Sequence, residues 1–137
     1  ANQASVRMSR SFHCEYDLKN AECCDAKKFP DEVGYVAFHD LAPFGQNIRD
    51  AGYVGLPYRM MIPKGTEGLL LAGRMLSTEY EAQMVTRNTV ACMVLGQAAG
   101  TAAALSASAD ISPSALDPQL LRRTLVKDGV YLENVGA

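Results

Sequence analysis

Gly68-Leu69-Leu70-Leu71-Ala72-Gly73-Arg74, followed after a polar interval by Cys92-Met93-Val94-Leu95-Gly96-Gln97-Ala98-Ala99-Gly100-Thr101-Ala102-Ala103-Ala104, is the stretch whose reading decides the fold. The unbroken apolar run at 69–72 reads as a short strand buried on both faces. Gly73 ends that strand and leaves the backbone open to close approach. Residues 77–83 read as a short helix and 89–107 as a long one. Gly96, Ala99, Gly100 and Ala103 stand on adjoining turns of the long helix and are expected to let a neighbour approach its backbone. A strand, a short helix and a long buried helix in this order indicate an α/β chain.

Residues 88–109 carry no charge, which is long enough to cross a bilayer, and they include the small-xxx-small spacing Gly96 to Gly100. The composition points the other way. Ala, Gly, Thr and Ser dominate, and only Val90, Met93, Val94, Leu95 and Leu105 are bulky, so lipid gains little from this surface. The segment is expected to be a core helix, not a membrane span. Its N-terminus, with unsatisfied N–H groups and a partial positive charge, suits an electron-rich ligand.

Downstream, Asp117 and Pro118 are an N-cap and first-turn pair, and Gly129 is a stop signal. Leu120, Leu121, Leu125 and Val126 give this terminal helix an apolar face. Upstream, Tyr53-Val54-Gly55-Leu56-Pro57-Tyr58-Arg59-Met60-Met61-Ile62 reads as an edge strand, because Pro57 has no N–H to donate. Residues 63–68 form a turn. Further back the chain is more irregular: a strand over 6–14, a short helix capped by Asp17 and reaching Ala26, and a second strand over 34–39. The organisation divides near Gly52.

The 137 residues carry 13 Lys and Arg against 15 Asp and Glu, a formal net charge of −2, which excludes a polycationic nucleic-acid surface. At 48% hydrophobic and 20% charged the chain is globular, and with no Trp its core must be aliphatic, with much Ala and Met. The four Cys are too few for a disulfide scaffold, and with His13 and His39 they match no zinc spacing, so no metal is expected. The first ten residues lack the apolar core of a signal peptide, which leans the localisation to the cytoplasm.

Taken together, Leu56-Pro57-Tyr58-Arg59, Ile62-Pro63-Lys64-Gly65, Gly68 to Arg74, Ser77, Glu81-Ala82, Arg87 and the Cys92 to Ala104 block resemble the C-terminal part of the bacterial-type FAD-dependent oxidoreductases of the glutathione-reductase-like superfamily. Arg7-Met8-Ser9-Arg10 and Lys28-Phe29-Pro30-Asp31 are weaker matches upstream. The resemblance implies the C-terminal portion of a two-domain FAD-binding oxidoreductase, with few strands, a long buried helix and a terminal helix. Residues 1–52 would belong to the substrate or cap region, and 53–137 to the return segment of the FAD-binding domain.

The resemblance also implies a cofactor, FAD, and a set of residues to hold it. Gly73 and Arg74 would lie beside its ribityl and pyrophosphate. Asn88, Thr89, Val90 and Ala91 would aim the helix N-terminus at the pyrimidine edge of the flavin, where N–H groups stabilise charge on the reduced ring. Arg87 is a second cation for phosphate or substrate. The substrate side would carry His39, Arg59 and Tyr80 as catalytic candidates. His39 beside Asp40 suits an oriented base or a turn hydrogen bond, and Arg59 suits a substrate oxygen or an ion pair with Glu67 or Glu81.

Two positions depart from the family's pattern. Tyr80 stands where His is frequent, and Val90 where Pro is common near the helix start, which touches the substrate chemistry more than the cofactor geometry. No GxGxxG turn occurs in the 137 residues. A dinucleotide-binding polypeptide is therefore expected as a partner, either as a missing half or as a separate subunit. The expected function is completion of a flavin site for hydride transfer with a small organic substrate. The alternative is a non-catalytic module that kept the fold of a flavoprotein tail and binds a partner through an exposed sheet edge.

Overall fold

A computed structural model describes residues 12–37 and 48–135. In chain order the elements are α1 (Asn20–Cys24), β1 (Glu32–Val36), β2 (Val54–Pro57), α2 (Tyr80–Thr86), α3 (Thr89–Ala109) and α4 (Pro118–Lys127). This is a mixed α/β arrangement in which helices pack on a small antiparallel ribbon of β1 and β2.

The long helix forms the centre. Asn88 caps it, its side chain accepting the Ala91 N–H at 3.0 Å, and Asp110 ends it in the left-handed conformation. Ala91, Leu95, Ala98, Ala102 and Ser106 form its buried side and face a core that includes Val33, Leu56, Met60, Leu121 and Leu125. α3 packs chiefly on β1 and α4. Closest approach comes from the strand: a Cβ at Gly34 would lie 2.1 Å from Cγ1 of Val94, so only glycine lets β1 run this near the helix.

That close approach replaces the expected one. Added Cβ atoms at Gly96 and Gly100 would meet nothing within 4 Å, and Val90 and Met93 are 65% and 70% exposed. The helix is therefore buried along one side only. The helix has the length and a mean hydropathy of 1.5 that pass for a membrane span. Its buried side is nonetheless part of the core shared with β1 and α4, as a core helix requires.

Several local readings hold. α4 starts at Pro118 with the Asp117 carboxylate accepting the Gln119 N–H at 2.9 Å, and Gly129 follows its end with φ of +90°. Its buried side differs from the expected stripe. Leu121 and Leu125 are buried, Leu120 and Val126 are 41% and 39% exposed, and Arg122 is buried at 5%.

Other elements differ for tertiary reasons. Residues 69–72 form no strand: Leu71 donates to the Met61 carbonyl at 2.8 Å, and Leu69 is 42% exposed. Within the described residues no strand lies alongside to complete a ladder. The edge strand expected over 53–62 stops at Pro57, and Tyr58–Met61 turns into a short 3-10 segment. Residues 77–79 are drawn into an extended path by the bridge between Leu18 and Thr78, so α2 begins at Tyr80 instead of Ser77. Asp17 does not cap α1. Lys19 holds that position, and the Asp17 carboxylate instead accepts the Ser77 hydroxyl. Most of the strand expected over 6–14 and the end of that over 34–39 lie outside the described residues. β2 is buried throughout and β1 nearly so, while Val90 and Met93 of α3 are large hydrophobics with 65% and 70% of their surface exposed.

Candidate functional site

The loop between α2 and α3 gathers most of the residues expected to hold a cofactor. Arg87 follows the last turn of α2, and its carbonyl accepts Nε of Arg74 at 3.2 Å and the Cys92 thiol at 3.6 Å. Gln83, buried on α2, donates from Nε2 to the Arg74 carbonyl at 2.7 Å. Arg74 and Arg87 are thereby tied to the start of α3. Gly73 has φ of +82°, and a Cβ there would reach only Sγ of Cys92, at 3.7 Å. Its requirement is thus the left-handed backbone that turns the chain toward Arg74, more than space for a close neighbour.

The start of α3 is prepared to receive hydrogen-bond acceptors. The first N–H groups of a helix have no acceptor within it. Asn88 takes that of Ala91 and steadies itself by donating Nδ2 to the Val85 carbonyl at 2.8 Å. Those of Thr89 and Val90, at the positive end of a 21-residue helix, have no acceptor within it. A cleft of about 370 Å³ opens here, lined by Asn88 and Val90 from the helix and by Tyr35, Val36 and Ala37 from the end of β1. Its lining is mainly apolar, with the helix terminus as polar end, which suits an aromatic ring that carries acceptors on one edge. The residues of α3 were legible from the sequence. Tyr35, Val36 and Ala37 were not, because only the contact of β1 with α3 brings them there.

The three catalytic candidates fall elsewhere. His39, with Asp40, lies outside the described residues. Tyr80 opens α2 and is 57% exposed. Arg59 is held by neither Glu67 nor Glu81. Its ion-pair partner is Asp31, which accepts from Nε at 2.9 Å, from Nη2 at 3.2 Å and from the Arg59 backbone N–H at 3.1 Å. The Tyr16 ring lies 4.8 Å from the guanidinium carbon. Hydrogen bonding to Asp31, itself 4% exposed, pushes the guanidinium further toward its charged form. An arginine fixed on three contacts is pre-oriented, and its side chain keeps 41% of its surface exposed.

The four cysteines are free thiols, and burial pushes that of Cys23 up to about 12. Among the described residues, no three His, Cys, Asp or Glu side chains gather in a group able to hold a metal ion.

No curated protein and no solved structure matches this chain. A family model does: the one described as FAD dependent oxidoreductase matches residues 1–125, which includes α3, both arginines of the α2–α3 junction and the strand side of the cleft. The cleft suits such a cofactor on the structural side, offering a mainly apolar slot with the N-terminus of α3 at one end. The chain belongs to the FAD-dependent oxidoreductase family, and FAD is the cofactor on which that family depends.

Proposed function

We propose that this chain is the C-terminal part of a glutathione-reductase-like flavoprotein and completes its flavin site for hydride transfer to or from a small organic substrate. The observation that carries this reading is the cleft at the start of α3, where mainly apolar walls from the end of β1 meet Asn88 and Val90 at the helix N-terminus. A dinucleotide-binding polypeptide supplies the Gly-rich turn that the 137 residues lack. The exposed side of α3, with Val90, Met93, Gly96 and Gly100, supports association with such a partner, as apolar surface of this kind on one helix marks interaction sites. A cytoplasmic setting accompanies this reading.

Bound FAD supplies the hydride-accepting ring, and the chain supplies its surroundings. With FAD bound, the N–H groups of Thr89 and Val90 would be the donors facing its electron-rich edge and would favour negative charge there. Asn88 keeps those groups aligned by closing the third N–H of the turn. Arg74 and Arg87, tied together at the junction, provide positive charge for the phosphates. Arg59, pre-oriented by Asp31, with His39 and Tyr80, serves the substrate side.

A single substitution tests the helix contribution without breaking the helix. Thr89→Pro removes one N–H at the first helical position, where proline is favoured. Asn88, at φ −71° and ψ 165°, already has the extended conformation required before proline. Loss of one such bond, about 1 kcal/mol, should lower the midpoint potential of the bound flavin by about 20 mV. An unchanged potential with FAD fully bound would contradict the placement of the flavin at this helix.

A further inference from the structure

The strand wall of the cleft is held from a distant part of the chain. The Tyr35 hydroxyl donates to Oε2 of Glu32 at 2.8 Å and accepts the backbone N–H of Glu133 at 3.0 Å. Glu32 is 3% exposed, and its Oε1 accepts the Phe29 N–H at 2.9 Å. Its carboxylate has room only because the facing strand carries glycine: a Cβ at Gly55 would lie 2.1 Å from Oε1.

Arg122 of α4 closes the network. Its Nε donates to the Glu32 carbonyl at 3.1 Å and its Nη2 to the Glu133 carbonyl at 2.7 Å. Its Nη1 donates to the Pro30 carbonyl at 3.2 Å and to Oε1 of Gln119 at 3.1 Å. A guanidinium 5% exposed and satisfied by carbonyl oxygens tolerates little displacement, because each lost acceptor leaves a buried charge short of a partner. Lys28 adds a clasp outside this junction. Its Nζ lies 3.8 Å from the Tyr53 ring centroid, 4.9 Å from that of Tyr35 and 3.2 Å from Oε2 of Glu133. A cleft of about 420 Å³ opens beside this brace, and Lys28, Glu32, Arg122 and Glu133, which line it, are the residues that bond to one another.

We infer that Arg122, Glu32 and the backbone of Glu133 are positioning residues for the cofactor cleft: they fix Tyr35 and thereby set the strand wall opposite Asn88 and Val90. Glu133 lies beyond the 1–125 matched by the family, so this buttress uses a part of the chain outside that match. The assignment rests on the reading of the cleft as the flavin site.

Tyr35→Phe in the natively purified complex tests it, since this change keeps the ring and removes only the hydroxyl shared by Glu32 and Glu133. Losing hydrogen bonds of this kind corresponds to a factor of about three to ten. Amide hydrogen exchange at residues 35–37 should rise by that factor while Leu95, Ala98 and Ala102 of α3 keep wild-type protection. The FAD dissociation constant should rise by a similar factor, with a shifted visible band. Tyr131→Phe removes a hydroxyl 3.4 Å from Oε1 of Glu133 but keeps its ring beside Tyr35 and both bonds of the Tyr35 hydroxyl, so it should leave every readout unchanged. Unchanged exchange at 35–37, or faster exchange with unchanged FAD affinity and spectrum, would overturn the assignment alone. Wild-type protein that carries no flavin would remove the functional reading and this assignment with it.

Discussion

On one side of α3, Ala91, Leu95, Ala98 and Ala102 are fully buried against β1 and α4; on the other, Val90 and Met93 stand mostly exposed beside Gly96 and Gly100. Both sides are built from uncharged apolar or small residues. What separates them is the neighbour. Gly34 lets β1 close on Val94, whereas nothing in the described residues approaches Gly96 or Gly100. The comparison teaches that the apolar character of this helix serves two partners, one within the chain and, under the proposed function, one outside it.

Substitutions on the two sides should therefore behave in opposite ways in the isolated chain, as read by denaturant or thermal unfolding. The largest effect is expected for Leu95→Ala, which opens a cavity in the core and should cost about 2–5 kcal/mol. Gly34→Ala comes next. Its Cβ would collide with Val94, and overpacking of this kind costs about 1–3 kcal/mol. Gly96→Ala should instead stabilise the isolated chain by about 0.5–1 kcal/mol, because an exposed helical glycine gives way to a better helix former with open space around it. In a complex with the proposed partner that gain should shrink or reverse. A loss of stability for Gly96→Ala in the isolated chain would break the contrast.

The smallest effect concerns the brace and depends on pH. The Tyr53 hydroxyl and the Lys28 ammonium hold the Glu133 carboxyl below its ordinary value of 4.5. A carboxyl depressed in the folded state contributes stability above its unfolded value, and that contribution is lost as pH falls through the folded one. Wild type should thus exceed Glu133→Gln in stability near neutrality, and the two should converge as pH is taken below 4.5. A difference that grew on acidification would contradict this ionic role.

The parts of the fold legible in the sequence are those set by local chemistry. Asp117, Pro118 and Gly129 bound α4 through a cap, a fixed φ and a left-handed stop, all within a few residues of each other. The uncharged run likewise marks α3, although its use on one side only depends on where β1 lies. Arg59 finds Asp31, not Glu67 or Glu81, because the turn after β2 returns beside the start of β1. Arg122 looks like a surface residue on a helix wheel, yet it is buried, since the carbonyls of Pro30, Glu32 and Glu133, from two distant segments, converge on it. The run at 69–72 has the composition of a strand but no ladder to join. At the candidate site, Asn88 and Val90 of the helix start, which line the cleft, are marked by the sequence. Tyr35 is not, because its place follows from long-range packing.

The most direct test of the central claim is a visible absorption spectrum of the chain purified natively with whatever accompanies it, together with the intact mass of every component. The account predicts a flavin band at about one FAD per chain, with a second polypeptide or a heavier species that carries the dinucleotide turn. A colourless, monodisperse 137-residue protein that takes up no FAD would contradict it.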